Sequence, residues 1–244
     1  MGALGQSATA SLGRLAQSAV GQGAARVLVA LRELAFPLGC AACGAGFKNQ
    51  GPFCGSCAQE VRLLSNPTHA WPGDSARALA VYDGPVGRAL RGFKYNRRLA
   101  GGAALADWLA RQTPAQWLSD IDLIAPVPLH SRRLLSRGFN QAVLLFKPLS
   151  QKYDIPLAFD LLTRLRNTRP QVDLPPQDRE SNVAGAFGVK RPGQALERKV
   201  LVVDDVYTTG ATVNECCRVL LQAGAAQVRV LTLARTAQGS PDIS

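Results

Sequence analysis

The chain has 244 residues, 47% of them apolar and 18% charged, proportions that exclude wholesale disorder and leave room for one to two domains. No stretch approaches about 18 consecutive apolar residues, so a transmembrane helix is excluded as well. Lys and Arg outnumber Asp and Glu by 28 to 17, a formal charge of +11. A field of that sign favours anionic partners such as phosphorylated metabolites, nucleic acid or acidic lipid, although an Arg-, Ala- and Gly-rich composition produces the same excess without any partner.

Residues 1–23 are mostly Ala, Gly, Ser, Leu and Gln with one charge, Arg14, and read as a disordered extension or a frayed helix. They lack the basic cluster, apolar core and cleavage site of a targeting peptide. Gln6 breaks the myristoylation pattern. A cytoplasmic protein without membrane insertion is therefore expected. A helix is predicted from near Ala24, with Val27, Leu28, Leu31, Leu34 and Ala35 along one side, and Pro37 ends it.

Six cysteines follow, at 40, 43, 54, 57, 216 and 217. The first four, Cys40, Cys43, Cys54 and Cys57, form C-x2-C-x10-C-x2-C, with Gly44 and Gly55 supplying sharp turns at each pair. Four thiolates so spaced predict a tetrahedral zinc site, with backbone N–H groups of the turns steadying the sulfurs. All four positions are sulfur, so the ion would be structural. A segment of about 25 residues cannot bury enough surface to fold alone, whereas structural zinc supplies about 10–16 kcal/mol. Two disulfides, or iron in the same cage, are the alternatives. Cys216 and Cys217 read as core residues of a helix.

From about residue 76 to 236 short apolar runs alternate with helical patterns. Strands are predicted at Ala78–Tyr82, Ile121–Val127, Leu161–Leu165, Val200–Val203 and Val228–Leu233. Helices are predicted near Val86–Tyr95, Leu99–Arg111, Asn140–Tyr153 and Ala211–Ala223, with Pro148 expected to kink or shorten the third. The last is the clearest: Val213, Cys216, Cys217 and Leu220 recur at helical spacing, and Gly224 sits at the C-terminal cap. The fold class is α/β, a mostly parallel sheet with helices on both faces, preceded by a small cysteine unit within 24–62 and followed by a tail, 237–244.

The most informative segment is Val200–Thr212, VLVVDDVYTTGAT. A buried strand ends on Asp204 and Asp205, a Thr-Thr-Gly turn follows, and a helix begins. Ligands of open α/β sheets bind at the carboxyl ends of strands. A helix N-terminus offers unpaired N–H groups to an anion. Gly210 lets the backbone come close, and Thr208, Thr209 and Thr212 add hydroxyl donors. The two carboxylates would repel a phosphate, so they must face hydrogen-bond donors, and the vicinal hydroxyls of a sugar fit. A sugar phosphate meets both demands; an acidic pair that only caps the helix is the alternative. Walker A and dinucleotide fingerprints are both missing.

Val200–Thr212 resembles the phosphoribosyl-pyrophosphate (PRPP) motif of type I phosphoribosyltransferases. Three further segments narrow the resemblance to the ComF family, also called GntX-like: the four-cysteine knuckle beginning at FPLGC, APVPLHSRRLLSRGFNQA at 125–142, and TRPQVDLPPQDRESNVAGAF at 168–187. With GFKY (Gly92–Tyr95) the match spans about 34–236. The resemblance implies a phosphoribosyltransferase, or a protein of that fold for which PRPP is a regulatory ligand. It implies that Asp204 and Asp205 bind the ribose hydroxyls, that Thr208, Thr209, Gly210, Ala211 and Thr212 hold the 5′-phosphate, and that Mg2+ bridges ribose and pyrophosphate oxygens. It puts His130 in a pyrophosphate loop and Arg169 and Arg179 in a mobile flap, as clamps on pyrophosphate. Tyr207 stands where many relatives are aliphatic.

A second theme is nucleic acid. Lys94 and Arg97 lie in one basic group, Arg132, Arg133 and Arg137 in another, with Phe93, Tyr95 and Phe139 among them. Basic side chains interleaved with aromatics are the ingredients of single-strand binding; the wet faces of helices are the simpler account. The resemblance implies a role in natural competence or the use of DNA, with single-stranded DNA and competence proteins as partners.

Overall fold

The computed structural model describes residues 39–47, 51–64, 75–95, 99–169, 174–175 and 177–237. The predicted helix between Ala24 and Pro37, the N-terminal extension, Arg97 and residues 238–244 lie outside them. In chain order come α1 (Gly55–Gln59), β1 (Ser75–Val81), α2 (Gly84–Tyr95), α3 (Leu99–Gln112), a 3-10 turn (Ala115–Trp117), β2 (Leu123–Pro126), α4 (Ser131–Arg137) and α5 (Gln141–Tyr153). Then follow β3 (Leu162–Arg164), α6 (Asp178–Val183), β4 (Phe187–Val189), α7 (Pro192–Ala195), β5 (Lys199–Tyr207), α8 (Ala211–Gln222) and β6 (Gln227–Arg235).

The main sheet runs β1-β6-β5-β2, and every described pair in it is parallel. Val200 to Val203 of β5 are fully buried, as expected of a strand covered on both faces. Side chains alternate faces along a strand, and the core divides accordingly. Leu201 and Val203 join Leu90 and Phe93 of α2, Leu105 and Leu109 of α3, and Leu145, Phe146 and Leu149 of α5. Val200 and Val202 join Val213, Cys216, Cys217 and Leu220 of α8, with Leu162 and Phe187 of the antiparallel β3–β4 pair. The predicted helix-on-both-faces architecture is therefore present, and Cys216 and Cys217 are core residues as read.

Cys40 onward forms one compact unit. Cys40, Ala41, Ala42, Phe53, Cys54 and Cys57 of the knuckle belong to the same apolar cluster as α2 and α3. At the amino ends of the strands, Asp120 ties β5 to β6. It accepts from Arg229 at 2.7 and 2.9 Å and from Lys199 at 3.1 Å. Those partners, Arg229 foremost, hold its carboxyl down to about 2. Among the described residues no helix is long and apolar enough to cross a membrane.

Pro148 does not shorten its helix, which continues to Tyr153. The carbonyl that loses its partner belongs to Leu144, which is 37% exposed, while Leu145, Phe146 and Leu149 anchor the opposite side in the core. The missing hydrogen bond falls where it costs least.

Candidate functional site

Strand β5 delivers two adjacent carboxylates to the carboxyl edge of the sheet, and the two-residue period sends them to opposite faces. Asp204 follows Val200 and Val202 onto the α8 face; Asp205 follows Leu201 and Val203 onto the α2 face. Asp204 lines a shallow, open concavity with Val206, Tyr207, Thr208, Gly210, Thr212 and Val213. The turn beneath it depends on Gly210, which holds φ 83° as the N-cap of α8. A Cβ there would collide with the Tyr207 phenol and sit 3.1 Å from Asn214 Nδ2. Glycine thus supplies both the left-handed backbone and the space. Ala211 N–H has only a long contact to Thr209 Oγ1, 3.5 Å, so the start of the 12-residue helix presents N–H groups and the positive dipole end to the concavity.

Asp205 does not line that space. Its Oδ2 lies 2.8 Å from Lys94 Nζ, with the two side chains 11% and 18% exposed. Burial pulls Lys94 down, but the charge and hydrogen bond of Asp205 outweigh it and leave the amine above its ordinary value. Asp204 accepts from the Asp205 backbone N–H at 2.8 Å. Burial, and then repulsion by Asp205, push its carboxyl up to about 7, against the pull of that N–H, Lys94 and Arg164.

Arg164, which the sequence reading passed over, stands at the end of β3 on the same face as Asp204. Its guanidinium lies 5.1 Å over the Phe187 ring and donates to Thr168 Oγ1. Arg133 donates to the Thr168 carbonyl at 2.8 Å. Burial, and then the charge of Arg133, hold Arg164 below the usual guanidinium range. Two guanidinium groups thus converge on Thr168, where the expected flap begins. The available signal was a basic residue closing an apolar strand directly before the Pro-rich segment.

Comparison with known proteins shows the family. The phosphoribosyl transferase domain family matches residues 140–244. The chain is 34% identical to the DNA utilization protein YhgH of Salmonella typhimurium strain LT2, over 81% of this chain and 84% of that protein. It is 35% identical to YhgH of Escherichia coli K12, with the same coverage. It is 33% identical to competence protein F of Haemophilus influenzae Rd, over 80% and 84%. The chain belongs to the ComF family.

In this ComF protein the remaining expected residues are dispersed. His130 caps α4, its Nδ1 accepting from Arg132 N–H at 3.3 Å. Arg179 donates to the Leu174 carbonyl at 3.1 Å, and the Arg169 carbonyl accepts from Asn182 at 3.1 Å. The Arg179 guanidinium is therefore held within its own segment, whereas Arg169 meets it only through its backbone carbonyl and is exposed. Lys94, grouped by sequence with a basic surface, is turned inward onto Asp205. Arg132 is exposed, and Arg137 lies 5.5 Å over the ring of Tyr95.

The knuckle cysteines converge as their spacing requires. The four Sγ atoms lie within 4.8 Å of one another, and Cys43 and Cys54 are 3.7 Å apart. Sulfurs around a tetrahedral ion at about 2.3 Å are about 3.8 Å apart, whereas a disulfide is about 2.05 Å. The donor set fits one ion. Burial works against the Cys40 thiolate, yet backbone N–H groups of Cys43, Cys54 and Ala42 hold its thiol below the ordinary value. Arg88 of α2 lies 3.9 Å from Cys57 Sγ and 3.4 Å from Glu60, which sets a positive charge beside the thiolates.

Proposed function

We propose that this ComF protein binds PRPP with Mg2+ at the carboxyl end of β5 and transfers its phosphoribosyl group. The observation that supports this is a single concavity with an acidic acceptor at one end, Asp204, and an anion-receptive turn at the other, Thr208–Thr212. The turn holds the 5′-phosphate through N–H and hydroxyl donors, and the aspartates accept from the ribose hydroxyls. In the reaction the C1–O bond to pyrophosphate breaks, its electron pair leaving with pyrophosphate. The acceptor's nucleophile bonds to C1 and gives up its proton to solvent. Positive charge builds on the ribose ring meanwhile, and the neighbouring carboxylates steady it. Mg2+ bound together with PRPP would supply a counter-charge for the leaving group. Arg164 and Arg133 lie where a departing anion would find guanidinium donors. Zinc is the ion that best suits the four-cysteine cage, with a structural role.

A second reading draws on another surface. Helix α4 buries no residue, and Arg137 stacks on Tyr95, which is 66% exposed. Exposed basic and aromatic groups suit single-stranded DNA, and the relatives are named for DNA utilization and competence. On this reading the protein handles DNA in the cytoplasm and PRPP regulates it.

Calorimetry with Mg2+ and PRPP tests the site. Replacing both Asp204 and Asp205 by Asn removes two charge-assisted hydrogen bonds of about 1.5–3 kcal/mol each, and affinity falls about 10²–10⁴-fold. Unchanged affinity refutes the assignment. Pyrophosphate release across bases, amines and single-stranded DNA then separates the readings: turnover with one acceptor favours transfer, and binding without turnover favours the regulatory role.

A further inference from the structure

The two aspartates are neighbours in sequence but not in surroundings, and the difference originates in α2. Phe93 is buried, packs 5.2 Å from Phe139, and lies so close to Gly102 of α3 that a Cβ there would strike its ring. The end of α2 therefore has little freedom. Lys94, the next residue, has its ammonium directed at Asp205 Oδ2, 2.8 Å away.

We infer that Lys94 is a positioning residue of the sugar site. It fixes the Asp205 carboxylate and occupies one of its oxygens, which leaves Oδ1 for a ribose hydroxyl and Asp204 to face the concavity. The inference rests on the ribose-phosphate reading above. Among the described residues, the charged and titratable groups around the pair are Lys94 and Tyr82 on the α2 side and Arg164 and Cys216 on the α8 side. Of these, Lys94 is the cation in contact with Asp205. Anchoring α2 does not require a charge, because Leu90 and Phe93 already bury its apolar face. A buried ion pair rarely gains stability over an apolar pair of similar volume. What the ammonium adds is a counter-charge for two carboxylates on consecutive residues.

The test compares Lys94→Met and Lys94→Arg with the wild-type chain, with Lys94→Gln in reserve should the Met variant fail to fold. Two readouts are taken: the carboxyl titration of 13C-labelled aspartates without ligand, and binding of Mg2+ and PRPP against pH. In Lys94→Met the acidic pair takes up its first proton about one pH unit or more above wild type. PRPP binding at pH 7 falls by about tenfold or more. Lys94→Arg restores both to within a few-fold. A helix staple alone predicts a lower melting temperature with the titration unmoved and no preference for Arg, and that result overturns the inference. If wild type does not bind PRPP, the functional proposal fails by itself, and the carboxyl titration still decides whether Lys94 governs the acidic pair.

Discussion

Asp204 sits at a cost to the fold. Its carboxyl is raised to about 7, above the about 3.9 of an unfolded chain. Between those values the folded state holds the proton that the unfolded state has released, so stability falls as pH rises from about 4 to about 7. The full penalty is present above 7. Asp204→Asn lacks the penalty. Its melting temperature therefore exceeds wild type at pH 8, and the gap closes as pH falls towards 4, while PRPP binding is lost. A carboxylate that must ionise to accept from a sugar also releases a proton on binding near pH 7. Calorimetry in buffers of different ionisation enthalpy detects that proton. Equal melting temperatures at pH 8 would show that the site stores no such penalty. The acidic pair was legible in the sequence because two carboxylates at a strand end before Thr-Thr-Gly have few other uses. Their division was not, because it depends on which helix covers which face of β5. Lys94 reads as a surface base until α2 is laid on the sheet.

The same distinction between local pattern and tertiary placement holds for the elements. Helices α2, α3, α5 and α8 and the four main strands were readable because their apolar periods are long enough to register. The short α4, α6, α7 and β4 were not, since each is too short for an apolar period to register. Strand β4 exists as the partner of β3; α4 is held by the His130 cap and ended by Gly138 at φ 86°. The contact on which the site depends most is equally silent in sequence: Gly102 of α3 gives way to the Phe93 ring. Gly102→Ala places a methyl group against that ring, which cannot retreat into a filled core. Overpacking of this kind costs about 1–3 kcal/mol. Helix propensity alone would favour Ala by up to about 1 kcal/mol, so the sign of the change in urea unfolding is diagnostic. Destabilisation with weakened PRPP binding is expected, because Phe93 and Lys94 are adjacent. A stabilised variant would mean that the ring moves freely and that α2 is not held in the way described.

At the scale of the molecule, the knuckle is part of the main core. Its metal pattern was plain from C-x2-C-x10-C-x2-C, but its seat was not. Phe53 meets Trp108 of α3 edge-on at 5.7 Å, Ala41 packs against Gly101, and Arg88 of α2 reaches Cys57 and Glu60. Helix α2 thus touches the cysteine cage near its start and the acidic pair at its end. Metal binding supplies folding energy to segments too small to fold alone, and a metal held in this cage would couple that energy to the helices that cover one face of the sheet. Removing the metal with a chelator, or losing it through Cys57→Ser, frees Phe53 and Ala41 and uncovers Trp108. Thermal unfolding should remain one transition, displaced to lower temperature. Tryptophan emission should shift to the red, and PRPP affinity should weaken as Lys94 loses its fixed approach to Asp205. One equivalent of zinc restores all three in the chelated protein and none in Cys57→Ser. An independent module behaves differently: its loss adds a separate low-temperature step and leaves the main transition and PRPP affinity where they were, an outcome that would confine the cage to partner binding.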